Sequence, residues 1–131
     1  MKKPLVLLLG MILVAAACGD DDASDPASLG SCEAVAHGTV DLVQDVINEL
    51  EAMTPADVGA LTQGQEFPAF VELGERGEAL GLRGQELECA DIDALFLERA
   101  DRLTADPENG FTQLILEGAQ NGEDVMARLF R

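Results

Sequence analysis

Apolar residues recur at intervals of three, four and seven positions along much of the chain, which is the spacing of one face of an α-helix. The first such segment begins at Cys32 and ends near Met53, with Ser31 as its N-cap. Its apolar face consists of Val35, Leu42, Val43, Val46, Ile47, Leu50 and Met53. We expect the opposite, polar side of this helix to face water. That side carries Glu33, His37, Asp41, Gln44, Asp45, Asn48 and Glu49.

A second helix is predicted directly after the first. Thr54 is a suitable N-cap, Pro55 occupies the first helical position and Asp57 places an acid in the first turn. These signals predict a short helix over residues 55–62. The polar segment 63–66, which contains a glycine, is then a loop.

The third predicted helix begins near Phe67 or Pro68 and continues past Leu80. Four glycines interrupt it, and each costs about 1 kcal/mol relative to alanine in a helix. They are Gly74, Gly77, Gly81 and Gly84. A break near Gly81 is therefore the alternative to a continuous helix.

The fourth predicted helix starts after Cys89, with Asp91 as its N-cap. Its apolar face consists of Ile92, Leu95, Phe96, Ala100 and Leu103. Residues 106–110 form a turn rich in Pro, Asn and Gly. A fifth helix follows over residues 111–120, and one or two further turns are predicted within residues 123–130.

These elements predict an all-α fold, a small up-and-down bundle of about four or five helices over residues 31–131. Three arginines have an acid four residues before them, an order that favours ion pairs along one helix. The predicted pairs are Glu72–Arg76, Glu98–Arg102 and Asp124–Arg128. We interpret them as decoration of solvated helix surfaces.

The N-terminus has the organisation of a bacterial secretory signal peptide. Lys2 and Lys3 form a positive region, and an uncharged apolar run extends from Pro4 to Ala17. This run is shorter than the about 20 residues that a membrane-spanning helix needs. We therefore interpret residues 1–17 as a removed signal, with a short buried N-terminal helix as the alternative.

The end of this run, Ala15-Ala16-Ala17-Cys18, resembles a bacterial lipobox. The resemblance implies that the thiol of Cys18 is acylated with diacylglycerol and that Cys18 becomes the new N-terminus. The lipobox pattern prefers Leu or Val where this chain has Ala15, and Val14 lies one place too early. The alternative is an ordinary signal peptide and an unanchored, secreted product.

Residues 18–30 are predicted to be an acidic, flexible tether, because Asp, Ser, Pro and Gly predominate there. The whole chain has a formal net charge of -17, from 8 Lys+Arg and 25 Asp+Glu. Removal of Lys2 and Lys3 with the signal leaves 6 Arg against 25 acids, or -19. Such an acidic chain is not expected to bind nucleic acid, since phosphate recognition needs clustered Lys and Arg.

Two cysteines remain after lipidation, Cys32 and Cys89. Export places them in an oxidising compartment, so we expect them to form a disulfide. An up-and-down packing supports this pairing, because it brings the starts of the first and fourth helices to one end. Two free thiols are the alternative.

Several short motifs within residues 31–118 resemble a group of small exported helical lipoproteins of high-G+C Gram-positive bacteria. They are Cys32-Glu33, Met53-Thr54, Glu88-Cys89-Ala90-Asp91, the segment 95–103 and the segment 110–118. The resemblance implies a helical domain that a lipid holds on the outer face of the cell membrane. Its motifs are structural, so it supplies no catalytic or binding residues.

We expect no enzymatic activity, no cofactor and no metal site. The single histidine, His37, lies between Glu33 and Asp41 on the polar side of the first helix, where a solvated acidic surface explains it. One histidine supplies too few ligands for a typical transition-metal site. A nucleophilic triad also needs a serine or cysteine that the fold holds in place. The serines after residue 18 all lie in or beside the tether: Ser24, Ser28 and Ser31.

Two functions remain. The first is a protein-interaction or structural module at the cell surface, whose acidic faces suit an exported partner with a basic surface. The second is a carrier that holds a lipophilic small molecule between its helices. The glycine-rich third helix leaves a gap for such a molecule, or else allows close helix packing. Sequence alone supplies neither the identity of the partner nor the oligomeric state.

Overall fold

The computed structural model describes residues 25–124, which contain five α-helices and no β-strand. A short 3₁₀ helix, Pro26–Ser28, precedes them. The α-helices are α1 (Cys32–Ala52), α2 (Pro55–Thr62), α3 (Pro68–Glu86), α4 (Ile92–Ala100) and α5 (Gly110–Gln120). The predicted all-α class and number of helices are confirmed. The predicted signal peptide, Cys18 and most of the predicted last turns lie outside the described residues.

Helix α1 is the centre of the bundle, and α3, α4 and α5 pack around it. Helix α3 runs antiparallel to α1. Successive contacts along α3 meet α1 in reverse order: Gly84 faces Val35, Leu80 lies over Gly38, and Arg76 binds Asp45. Side chains of α1 supply half of the buried apolar residues, and Val46 and Ile47 are fully buried.

Most of the polar side of α1 is exposed to water as expected, but Gln44 and Asp45 are only partly exposed and bind other segments of the chain. The side-chain amide of Gln44 donates to the carbonyl of Thr104 and accepts from its backbone N–H, both at 2.9 Å. Asp45 accepts a hydrogen bond from Arg76 of α3 at 2.6 Å. These partners are 60 and 31 residues away in sequence, so local periodicity carried no sign of them.

The predicted helix starts are confirmed at α1 and α2. The hydroxyl of Ser31 accepts from the backbone N–H of Ala34 at 3.2 Å. Thr54 and Asp57 form a reciprocal capping box at the start of α2. Asp91 precedes α4 as predicted, but its side chain makes no capping hydrogen bond.

Three helices end in the same left-handed C-terminal motif, in which two backbone N–H groups bond back to the last turn. The residue with positive φ is Gly64 after α2 and Gly122 after α5. After α3 it is Glu88, with φ 55°, and the N–H of Cys89 donates to the carbonyl of Gly84 at 3.0 Å. A side chain at such a position is strained by about 1–2 kcal/mol. Helix α3 is continuous through Gly81, so the alternative of a break there was wrong.

The folded domain begins before residue 31, which corrects the predicted tether at its C-terminal end. Pro26 and Leu29 are buried, and Leu29 is only 4% exposed. The Nε of Arg83 donates to the carbonyl of Leu29 at 2.7 Å, which fixes this segment on α3. The lone leucine of the polar stretch is therefore a core residue. The part of the tether before residue 25 lies outside the described residues.

Cys32 and Cys89 lie at disulfide distance, with Cα atoms 5.5 Å apart and Sγ atoms 2.08 Å apart. Cys32 opens α1, and Cys89 follows the left-handed turn at the end of α3. The expected proximity of these cysteines is confirmed. Within residues 25–124 no helix has the length and apolarity needed to cross a membrane.

Candidate functional site

A groove of about 1370 Å³ lies over α1, between α3 on one side and α4 with the end of α5 on the other. Both walls pack on α1 but make little contact with each other. The groove exists because α1 is long enough to support three helices, whereas no described helix fills the space between the two walls.

The floor of the groove is apolar. It is formed by α1 side chains of the core, among them Val35, Leu42 and Val43, which are at most 2% exposed. Phe70 and Leu80 of α3 and Phe96 of α4 complete it. An apolar ligand side chain could therefore lose its contact with water against this floor.

The glycines of α3 all border the groove. They are Gly74, Gly77, Gly81 and Gly84, and their spacing of three or four residues places them on one face of the helix. At Gly81 an added Cβ atom would meet nothing within 4 Å, so that part of the helix surface is open. Gly81 thus leaves the groove open and lets another backbone approach α3 closely, whereas a Cβ at Gly84 would lie 3.7 Å from Val35 of α1.

Acidic residues form the rim of the groove. Seven carboxylates border it: Glu66, Glu75, Glu78, Glu88, Asp93, Glu123 and Asp124. The first five are exposed, and their side chains take part in no hydrogen bond or ion pair within residues 25–124. Because no arginine or histidine of the described range borders the groove, its local charge is strongly negative.

The four described arginines do not border the groove, and the two for which a partner was predicted, Arg76 and Arg102, do not form the predicted pairs. Arg76 binds Asp45 of α1 rather than Glu72 of its own helix. Arg83 forms an ion pair with Glu86, three residues further along α3, and donates to the Leu29 carbonyl. The ion pair of Arg99 is with its neighbour Glu98, at 3.7 Å.

The predicted pair between Glu98 and Arg102 does not form in the described range, because Arg102 lies beyond the end of α4, where the four-residue spacing of a helix no longer applies. The predicted pair Asp124–Arg128 includes a residue outside the described range. Within the described residues, neither Arg76 nor Arg102 therefore forms the ion pair that its i to i+4 spacing predicted.

The other chemical candidates lie apart from the groove. The Nε2 of His37 is 3.5 Å from Asp41, and its side chain is 53% exposed. Ser31 caps α1, and Ser28 donates to the carbonyl of Asp25. Within residues 25–124 no group of three or more His, Cys, Asp or Glu residues is placed to hold a metal ion.

The sequence held one sign of the groove, the glycine-rich third helix. The acidic rim could not be predicted, because its members come from the loop before α3, from α3, from α4 and from the end of α5. Only the packing of the helices brings those carboxylates to one opening.

Comparison with family models, with curated proteins and with solved structures gave no significant match in any of the three.

Proposed function

We propose that this protein is a protein-interaction module, held by a lipid on Cys18 at the outer face of the cell membrane. The groove is its binding site. The helical frame would present this site to other exported proteins, and the tether would set its distance from the membrane.

The observation that carries this proposal is the groove itself. Its floor is apolar, and the rim carboxylates Glu66, Glu75, Glu78, Glu88 and Asp93 bind no other described residue, whereas polar side chains away from the groove such as Gln44 and Glu51 bind neighbouring segments. Apolar surface rimmed by charge is typical of a recognition site. The lipobox resemblance of residues 15–18 supports the anchor.

The anchor is tested by growing cells with radiolabelled palmitate. We expect label in the wild-type protein and none in C18S, which should also leave the membrane fraction. Label on neither protein would exclude the anchor and leave the secreted alternative.

The interaction is tested by chemical crosslinking on intact cells, at low and at high salt. We expect one or more exported proteins to be crosslinked at low salt and lost at high salt, because screening weakens contacts between exposed charges. A crosslinking pattern that contains only the protein itself would contradict the proposal.

A carrier for a lipophilic molecule is the second candidate, and the size of the groove favours it. Ligand sites commonly measure about 300–1,000 Å³, so the groove, at about 1370 Å³, has room for such a molecule on its apolar floor. Native mass spectrometry of protein purified from its host separates the two functions. A bound lipophile would support the carrier, whereas the mass of the protein alone would favour the interaction module.

A further inference from the structure

We propose that the groove receives a cationic amphipathic helix of a partner protein, two to three turns long. Its apolar face would lie on the α1 floor and its Lys or Arg side chains against the acidic rim. This inference rests on the proposed function, because it names the kind of partner that the module would bind.

The dimensions of the groove suit a helix. A helix with its side chains is about 10–12 Å across and rises about 1.5 Å per residue, so the volume of the groove corresponds to about eight to twelve helical residues. The walls are themselves helices packed on α1, and a further helix would complete the bundle between them. Helix-in-groove recognition uses this arrangement, with apolar anchors on one helix face.

The surface of α3 suits close helix packing. Its glycines at positions 74, 77, 81 and 84 border the groove, and the space above Gly81 is empty within 4 Å of an added Cβ. Small residues let two helix backbones approach each other. The partner helix could therefore reach Leu80 and the α1 floor beneath.

Charge selects the partner. Glu75 and Glu78 on α3 face the groove from one side and Asp93 on α4 from the other, and none of the three side chains has a partner within the described residues. A cationic helix would neutralise both rims at once. A neutral lipophile would gain nothing from these charges, and an acidic segment would be repelled.

The direct test uses synthetic helical peptides of about twelve residues. The first places Leu at helical spacing on one face and Lys on the other; the second replaces every Lys with Glu; the third scrambles the first. Binding to the full protein is measured by fluorescence anisotropy at low and at high salt. We expect the basic amphipathic peptide to bind more than tenfold tighter than either control peptide, and to weaken as salt is raised.

Two pairs of variants locate the binding. G81L fills the groove from an open helix position, and G59L makes the same change at a helical glycine of α2 that does not border the groove and also has open space at its Cβ. We expect G81L to abolish peptide binding and G59L to retain it. E75Q/E78Q should weaken binding by about three- to thirtyfold, whereas E49Q/E98Q, away from the groove, should leave it unchanged.

Four results would overturn the inference. They are equal binding of the basic and acidic peptides, no binding of the basic peptide, equal behaviour of G81L and G59L, and binding only to a variant that ends at Asp124. The last would mean that residues 125–131, which include Arg128 and Arg131, take the partner's place.

The crosslinking experiment on cells separates this inference from the proposed function. If G81L still captures the exported partner, the protein remains an interaction module, but it binds through another surface, so both the groove as its binding site and the groove inference fail. If wild-type protein captures none while the peptide binds the groove, the proposed function fails and the groove inference stands.

Discussion

The two sides of α1 are held in different ways. On the side that faces α4 and α5, which we call the closed side, α1 side chains form hydrogen bonds to the backbone of the neighbouring segment, as Gln44 does to Thr104. On the side that faces α3, which we call the open side, α1 is joined to α3 by the ion pair between Asp45 and Arg76 and by the cysteines Cys32 and Cys89, and glycines lie at the helix contact. On the closed side, polar side chains of α1 therefore hold the neighbouring segments in place through hydrogen bonds. On the open side, Glu75 and Glu78 of α3 border the groove, and their side chains bind no other described residue.

This difference separates acidic residues that stabilise the fold from acidic residues that are available for binding. Glu51 on the closed side accepts hydrogen bonds from the backbone of Asp106 and from the hydroxyl of Thr112, which is completely buried. Glu75 and Glu78 on the open side have no such partners. We therefore expect substitutions of the first kind to change stability and those of the second kind to change binding.

The largest expected effect comes from removing the covalent support of α3. The double variant C32S/C89S should lower the free energy of unfolding by about 4 kcal/mol, because a loop of this length is no longer closed in the unfolded chain. Denaturant unfolding measures the loss, and hydrogen exchange should rise more in α3 than in α5.

Chemical reduction of the Cys32–Cys89 bond in the wild-type protein should lower the free energy of unfolding by the same amount. This control shows that the loss comes from the missing bond and not from the serine side chains. An unfolding free energy that is equal in the double variant and the wild-type protein would contradict the role of the bond. So would mass spectrometry that finds two free thiols in the protein purified from its host.

On the closed side, E51A should lower the free energy of unfolding by about 1 kcal/mol, because it removes the acceptor of the Asp106 backbone N–H and one of the two acceptors of the buried Thr112 hydroxyl, the other being the Asn109 carbonyl. The matched control is E49A, an exposed position on the same helix, for which we expect a change within about 0.5 kcal/mol. Thermal and denaturant unfolding measure both. Equal effects of the two variants would show that the network around Glu51 is not a structural element.

Gly38 lies in the packed contact between α1 and α3, whereas Gly81 lies on the open surface of α3, so alanine substitutions at the two positions should have different effects on stability. G81A should raise the free energy of unfolding by about 0.5–1 kcal/mol, because alanine favours the helix and the new methyl meets open space. At Gly38 a Cβ would lie 3.1 Å from Leu80, so we expect G38A to gain less or to destabilise. If G38A proved the more stabilising of the two, the tight contact at Leu80 would be refuted.

The smallest effect is expected at the end of α3. E88G should raise the free energy of unfolding by about 0.5 kcal/mol, since glycine adopts the left-handed conformation without the strain of a side chain. E88Q keeps that strain and removes the charge, so its stability should stay near that of the wild-type protein. A stabilised E88Q would assign the effect to charge instead of backbone conformation.

The sequence predicted those features whose causes are local. Thr54, Pro55 and Asp57 lie within four positions, and their capping box is as expected. Gln44 and Leu29 were misinterpreted, because their partners Thr104 and Arg83 are 60 and 54 residues away. A polar residue on a helix and a lone leucine in a polar stretch look solvated until the fold brings those partners to them.

The same reason limits prediction of the groove. The glycines of α3 indicated either a gap or close packing, and periodicity could not choose between them. The choice depends on whether α3 and α4 meet, which is a property of how both helices sit on α1. The acidic rim depends on the same arrangement, because its carboxylates come from separate segments and no single segment predicts that they lie together.

The most direct test of the central claim is a titration of the labelled full-length protein with the basic amphipathic peptide, followed by amide NMR. Binding in the groove predicts shifts at Leu80, Gly81 and Phe96, with Gln44 and Thr104 on the closed side unchanged. Shifts confined to the closed side, or an unaltered spectrum at saturating peptide, would contradict it.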